Sequence, residues 1–169
     1  LSVASAQLGY GTHIFAPQSS GPAADVSPRW TQGQYDDEAA LGQFADAVDV
    51  VTYEFENIDT VAIEILGRHG LVRPGLKALQ IAQDRLQEKS FVAQLGGRTA
   101  PFAAVNSLDD LNTALGQIGT PAILKTNRFG YDGKGQVRIT DADHASAAWD
   151  EIGRTPAILE GFVPFDQEY

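Results

Sequence analysis

Apolar positions in the first half of the chain alternate between a helical spacing and short continuous runs. Leu1, Ala4 and Leu8 lie on one face of a helix that Gly9 ends. Residues 12–16 read as a short strand, and residues 17–28 as a loop rich in Ser, Pro and Gly. Ala40, Leu41, Phe44 and Ala45 predict a helix over 37–47, and residues 49–53 form a buried strand. Val61, Ile65 and Leu66 make the stripe of a helix over 58–69, and residues 71–72 a last short strand before Pro74. Strands alternating with helices through short links predict a parallel sheet covered by helices on both faces. Such sheets hold ligands at the carboxyl ends of their strands, which here are Ala16 and Tyr53.

Two helices, 76–82 and 84–95, then mark a boundary region, and Gly96 and Gly97 close the second. Beyond them the pattern becomes a smaller α+β unit. It consists of a helix over 108–118, strands over 122–126 and 136–140 flanking a glycine-rich loop, a helix over 143–152 and a strand over 157–160. The fold class is α/β, with the parallel sheet first and the α+β unit second.

Composition narrows the function. The chain has 169 residues, 43% of them hydrophobic, enough to give one ordinary domain or two small ones a real core. The net charge of −10 argues against a nucleic-acid partner, which needs a basic face. It also means that a polyphosphate must be held by local cations and backbone N–H groups against the global field. With no cysteine, thiolate catalysis and disulfides are excluded within this span. No apolar run reaches the ~18–20 residues of a membrane span, and residues 1–10 do not resemble a secretory leader. The chain has no methionine, even at position 1, and it stops soon after the strand at 157–160. Material is therefore expected to be missing at both ends.

Chemistry concentrates in a few places. Gly130, Tyr131, Asp132, Gly133, Lys134, Gly135 and Gln136 form a hairpin loop whose backbone can approach a ligand closely. Its N–H groups and Lys134 can cradle phosphate oxygens. The spacing is neither that of a Walker A loop nor that of a dinucleotide fingerprint, and an ordinary glycine-rich hairpin is the bland alternative. Lys125 ends one apolar strand, either pointing at a phosphate or snorkelling into solvent. Glu160 ends another, as an acceptor for an amine or hydroxyl or as a solvated acid. Glu54, within Tyr53, Glu54, Phe55, Glu56 and Asn57, lies at a strand's carboxyl end. Asn57 also suits a helix N-cap, with Asp59 favouring the dipole. Asp84 caps the next helix, where Arg85 and Lys89 share a face and either meet a polyphosphate or are solvated. His13, His69 and His144 lack metal-ligand spacing and are read as structural.

Taken in order, the Tyr-Glu-Phe-Glu-Asn segment, the Asp-Arg-Leu-Gln-Glu-Lys helix start, Lys125 and the glycine loop resemble the successive motifs of the N5-carboxyaminoimidazole ribonucleotide synthetases, members of the ATP-grasp superfamily. The resemblance runs over nearly the whole chain. It implies a Rossmann-like pre-ATP-grasp domain with linker helices over 1–97, the small ATP-grasp subdomain over 98–158, and the start of the large subdomain over 159–169. It implies ATP-dependent carboxylation of 5-aminoimidazole ribonucleotide by bicarbonate through carboxyphosphate, in a cytoplasmic homodimer. Arg85 and Lys125 match phosphate contacts, and 130–136 the mobile loop over the phosphates. Glu160, Gly161, Phe162 and Val163 match the segment that holds adenine, and Glu168 the ribose carboxylate. Asp132 is assigned proton transfer, Tyr131 a place facing the aminoimidazole, and Glu54 substrate binding. Magnesium ligands are expected in the absent C-terminal half, with none in this span. Asn127 departs from the basic residue that many relatives carry. The alternatives are another ATP-grasp ligase, of the glycinamide ribonucleotide transformylase or biotin carboxylase type, or a non-catalytic nucleotide-binding module.

Overall fold

The structure, a computed structural model, describes residues 1–130 and 134–167. The chain divides into two compact units, Leu1–Gln80 and Ile81–Tyr169.

In the first unit, α1 (Ser2–Gln7) leads to β1 (His13–Ala16), α2 (Pro22–Val26), β2 (Arg29–Gln32), α3 (Glu38–Asp46) and α4 (Thr60–His69). β1 and β2 pair in parallel, with His13 opposite Arg29 and Phe15 opposite Thr31. α2 corrects the expected loop over 17–28, and β2 is an addition beyond it. The Arg-Trp-Thr-Gln segment lacks an apolar alternation, so its strand character comes from pairing with β1. The strands expected over 49–53 and 71–72 contract to one parallel bridge, Val51 to Val72. Val51 donates to the Leu71 carbonyl and accepts from the Arg73 N–H. Val51 and Val72 are buried while Val50 is half exposed, so the pairing rests on this one buried position in each segment. The cap of α4 is Asp59, whose Oδ1 accepts from the Val61 N–H at 2.9 Å, in place of the expected Asn57. Asp37 caps α3 in the same way. Leu41, Phe44, Ala62, Ile63, Ile65 and Leu66 from α3 and α4 close over Val51 and Val72 as the core.

The second unit holds α6 (Arg85–Gln94), β3 (Phe102–Val105), α7 (Leu108–Ile118), β4 (Ala122–Thr126), β5 (Gln136–Ile139), a 3-10 turn (Ala142–His144), α8 (Ala145–Glu151) and β6 (Ala157–Gly161). α5 (Leu76–Ala82) runs across the division. The strands form an antiparallel sheet in the order β3-β6-β4-β5. β3 is an addition to the elements that the apolar pattern predicts. Side chains alternate across the sheet, so the register assigns each residue a face. Leu124 lies opposite Leu159 and Val137, and Ala122 opposite Ile139. This face is packed by Leu111, Ala114 and Leu115 of α7 and by Ala148 and Trp149 of α8. Leu124 and Leu159 are fully buried, each contributing roughly 1.5–3 kcal/mol of apolar transfer. The intervening positions, Ile123, Lys125, Gln136, Arg138, Ile158 and Glu160, share the other face.

The contact division falls at 80/81, so that α6 lies within the second unit. β6 is bonded to β3 on one side and β4 on the other.

Candidate functional site

The second face of the antiparallel sheet carries the chemistry. β4 pairs with β6 so that Ile123 lies opposite Glu160 and Lys125 opposite Ile158. Lys125 and Glu160 are thus diagonal neighbours on one face, within reach of a long side chain. Lys125 Nζ donates to Glu160 Oε2 at 3.0 Å. The other carboxylate oxygen, Oε1, lies 3.4 Å from Lys89 Nζ on α6. The Glu160 side chain is 8% exposed and the lysines 20% and 24%, so the cluster is largely shielded from water. Two ammoniums on one carboxylate leave a single positive charge unmatched. Glu160 is therefore buried and paired, and Lys125 does not end in open solvent.

The base of the glycine loop is tied to the start of α6. Arg85 donates through Nη1 to the Thr126 carbonyl at 2.8 Å and through Nη2 to the Gly130 carbonyl at 2.6 Å. Its backbone N–H donates to the Asn127 carbonyl. Asn127 accepts from the Leu86 N–H and donates through Nδ2 to Asp84 Oδ2 at 2.8 Å. Arg128 donates to the Oε1 of buried Gln83 at 2.8 Å. These bonds join 126–130 to 83–86. Gly130 is required here by contact: a Cβ would stand 2.9 Å from the Lys134 carbonyl and 3.0 Å from both Arg85 Nη atoms. Gly135 has φ +66, and a Cβ there would come within 2.6 Å of Thr126 Oγ1. Phe129 adopts φ 63, a left-handed conformation uncommon for a bulky side chain, with the Arg128 guanidinium 5.3 Å from its ring centroid.

Of the remaining expected residues, Lys134 and Gln136 are exposed at the head of β5. Gly161 and Phe162 are half-buried, and Val163 is exposed. The Arg138 guanidinium lies 4.2 Å over the Phe162 ring, a contact the sequence pattern does not suggest. Tyr131, Asp132, Gly133 and Glu168 lie outside the described residues. Glu54 is exposed and belongs to the first unit. There it lines a cavity of about 260 Å³ with Tyr53, Phe55 and His13. Burial raises the Tyr53 hydroxyl above its ordinary pKa. Among the described residues no group of three or more His, Cys, Asp or Glu side chains is placed to hold a metal. No helix among them is long and apolar enough to cross a membrane.

Comparison with known proteins assigns both units. The ribonucleotide synthetase preATP-grasp domain family matches residues 1–83, and the ATP-grasp domain family matches residues 90–169. The N5-carboxyaminoimidazole ribonucleotide synthase of Brucella melitensis biotype 1 is 47% identical over 170 residues, covering 99% of this chain and 47% of that protein. The chain belongs to the N5-carboxyaminoimidazole ribonucleotide synthetase family. It spans about half the length of such curated relatives. A solved synthetase of this family in its ADP complex superimposes with TM-score 0.89 at 33% identity, over 98% of this chain and 44% of that one. The synthetase from Thermus thermophilus gives TM-score 0.87 at 38% identity, with the same coverage of both chains. The fold expected of this synthetase family, a pre-ATP-grasp unit followed by an ATP-grasp unit, is the fold observed.

The sequence does not reveal the partners of its site residues. Lys89 is visible there as a cation one turn beyond Arg85, but its pairing with Glu160 depends on where α6 lies against the sheet. Asn127 serves as the knot between the loop base and α6.

Proposed function

We propose that this chain supplies the nucleotide site, and part of the acceptor site, of a ligase that carboxylates 5-aminoimidazole ribonucleotide with bicarbonate and ATP in purine biosynthesis. The observation that carries the reading is the lysine–carboxylate–lysine cluster on the sheet face that also bears β4 and β5, the strands flanking the glycine loop. In a chain of net charge −10, a local positive excess gives a polyphosphate somewhere to dock. The ADP bound by the solved relative supports the nucleotide half of the reading.

In this reading Lys125 meets the nucleotide phosphates. Arg85 has five N–H donors and spends two on carbonyls, which leaves donors for a phosphate oxygen. Residues 130–136 fold over the phosphates, with backbone N–H groups and Lys134 directed at them. Glu160 accepts from the adenine amine beside Gly161, Phe162 and Val163, and Glu168 accepts from the ribose hydroxyls. Glu54 contributes to the acceptor site.

A bicarbonate oxygen attacks the γ-phosphorus, the bond from phosphorus to the bridging oxygen breaks, and ADP leaves. The resulting carboxyphosphate holds an activated carboxyl carbon. The aminoimidazole nitrogen attacks that carbon, the carbon–oxygen bond breaks and phosphate departs. The proton released from nitrogen passes to Asp132, with Tyr131 facing the ring. A carboxylate of ordinary basicity is a weak base, so the departing phosphate shares this proton. The family resemblance assigns the magnesium ligands to sequence beyond this span, and no step here is routed through the metal. The full-length enzyme is a cytoplasmic homodimer on this reading.

The test is phosphate release from ATP by the full-length protein, with and without bicarbonate and 5-aminoimidazole ribonucleotide, beside Asp132→Ala. The expected result is release that requires the aminoimidazole and falls about 100-fold or more in the variant, within the usual range for general acid–base groups, while ATP binding is retained. Release indifferent to the aminoimidazole would overturn the substrate assignment.

A further inference from the structure

Lys89 is the one member of the buried cluster to which the proposed reaction gives no role. We propose that Lys89 is a positioning residue that fixes the Glu160 carboxylate for purine recognition, an inference that rests on the ATP-site reading above.

The geometry is specific. Each Glu160 oxygen answers to a different lysine, Oε2 to Lys125 at 3.0 Å and Oε1 to Lys89 at 3.4 Å. Two points of attachment on separate elements set both the position and the rotation of the carboxylate plane. Lys125 alone would set only one of them, and a glutamate side chain has enough rotatable bonds to swing about a single tether. A carboxylate offers about four acceptor sites, so two lysines leave acceptor capacity for a ligand amine.

The way α6 sits in its unit supports this role. The helix has no fully buried residue, and its apolar Phe91 and the Leu95 that follows its last turn are 41% and 72% exposed. The side it turns inward carries Arg85 and Lys89, four residues apart, with Arg85 on the loop base and Lys89 on Glu160. Arg85 and Lys89 thus give the inward side of the helix two polar attachments. Lys89 is 20% exposed although Phe91, two residues on, is 41% exposed. Its ammonium is held in the cluster at a desolvation cost that solvation elsewhere on α6 would have avoided.

The test compares ATP and GTP binding to the full-length protein for wild type, Lys89→Met, Lys89→Gln and Lys89→Arg, with thermal unfolding of each. The wild type is expected to prefer ATP, whose base offers an amine where that of GTP offers a carbonyl. Lys89→Met and Lys89→Gln are expected to weaken ATP binding about tenfold, equivalent to about 1.4 kcal/mol. GTP binding should change far less, so selectivity narrows, while Lys89→Arg restores it and the unfolding temperatures stay together. Equal losses for both nucleotides, or ATP binding unchanged in both Met and Gln variants, would overturn the role. A wild type that binds no ATP would defeat the ATP-site reading itself, and is distinguishable because the failure precedes any substitution.

Discussion

At the scale of single residues, His13 shows how an interior position acquires a pH signature. Its Nε2 shares a 2.8 Å hydrogen bond with Thr31 Oγ1, while Nδ1 is buried without a partner. The ring meets Phe44 edge-on at 4.9 Å. Desolvation, followed by the nearby Arg29 charge, lowers its pKa below the ordinary 6.5. The unfolded chain therefore binds this proton more readily than the native unit does. The resulting stability is fully present above pH 6.5 and declines as the pH falls from there toward the depressed native value. Urea unfolding of the first unit, followed by NMR from about pH 8 to about pH 5, is expected to show that decline. His13→Gln should flatten it while leaving any slope that the carboxylates contribute at lower pH.

At the scale of elements, the joint between α6 and the loop after β4 is the feature to probe. Asp84 caps α6 through Oδ1, which accepts from the Gln87 N–H, and uses Oδ2 to hold Asn127. Loss of an N-cap costs about 0.5–2 kcal/mol. Asn127 is buried in part by the same contact, so Asp84→Ala and Asn127→Ala are expected to be non-additive, with a coupling of about 0.5–3 kcal/mol. Equilibrium denaturation of the two single variants and the double variant measures it, and strict additivity would show that the joint carries no cooperative energy. Helices are legible in the sequence because their signals are local: Asp37, Ser107 and Asp84 all cap as their types suggest. The strands at 122–126, 136–139 and 157–161 are legible from their apolar residues, and the hairpin from its glycines. β2 and β3 are not, because short strands gain their identity from partners distant in sequence. For the same reason the site is legible as a set of residue types and not as a set of contacts. The pairing of Lys125 with Glu160 needs the register of β4 on β6, and that of Lys89 needs the placement of α6.

At the scale of the molecule, each unit closes its own core, one from α3, α4 and the Val51–Val72 bridge, the other from the sheet with α7 and α8. A ligand held by one unit then stabilises that unit first. At a nucleotide concentration of about 100 Kd the linkage is about 2.7 kcal/mol. Hydrogen exchange of the full-length protein with saturating ATP is expected to slow in β4, β5, β6 and the first turn of α6, with α3 and α4 little changed. Slowing confined to α3 and α4 would place the nucleotide elsewhere. The two tryptophans are divided between the units, Trp30 in the first and Trp149 in the second. Variants that keep one of these two can therefore report each unit's melting separately.

The alternation of β4 and β6 has a consequence for how this sheet can change its length. Ile123, Lys125 and Glu160 occupy one parity of positions, and Leu124 and Leu159 the other. Deleting one residue within β6 would exchange the two sets beyond that point, sending Leu159 outward and Glu160 among the aliphatic side chains of α7 and α8. Core and ligand face would fail together, and no second substitution on either face alone could repair both. Length variation in descendants of this chain is therefore confined to the connections, such as the turn between α8 and β6, and indels within the central strands should be purged whatever residues they bring.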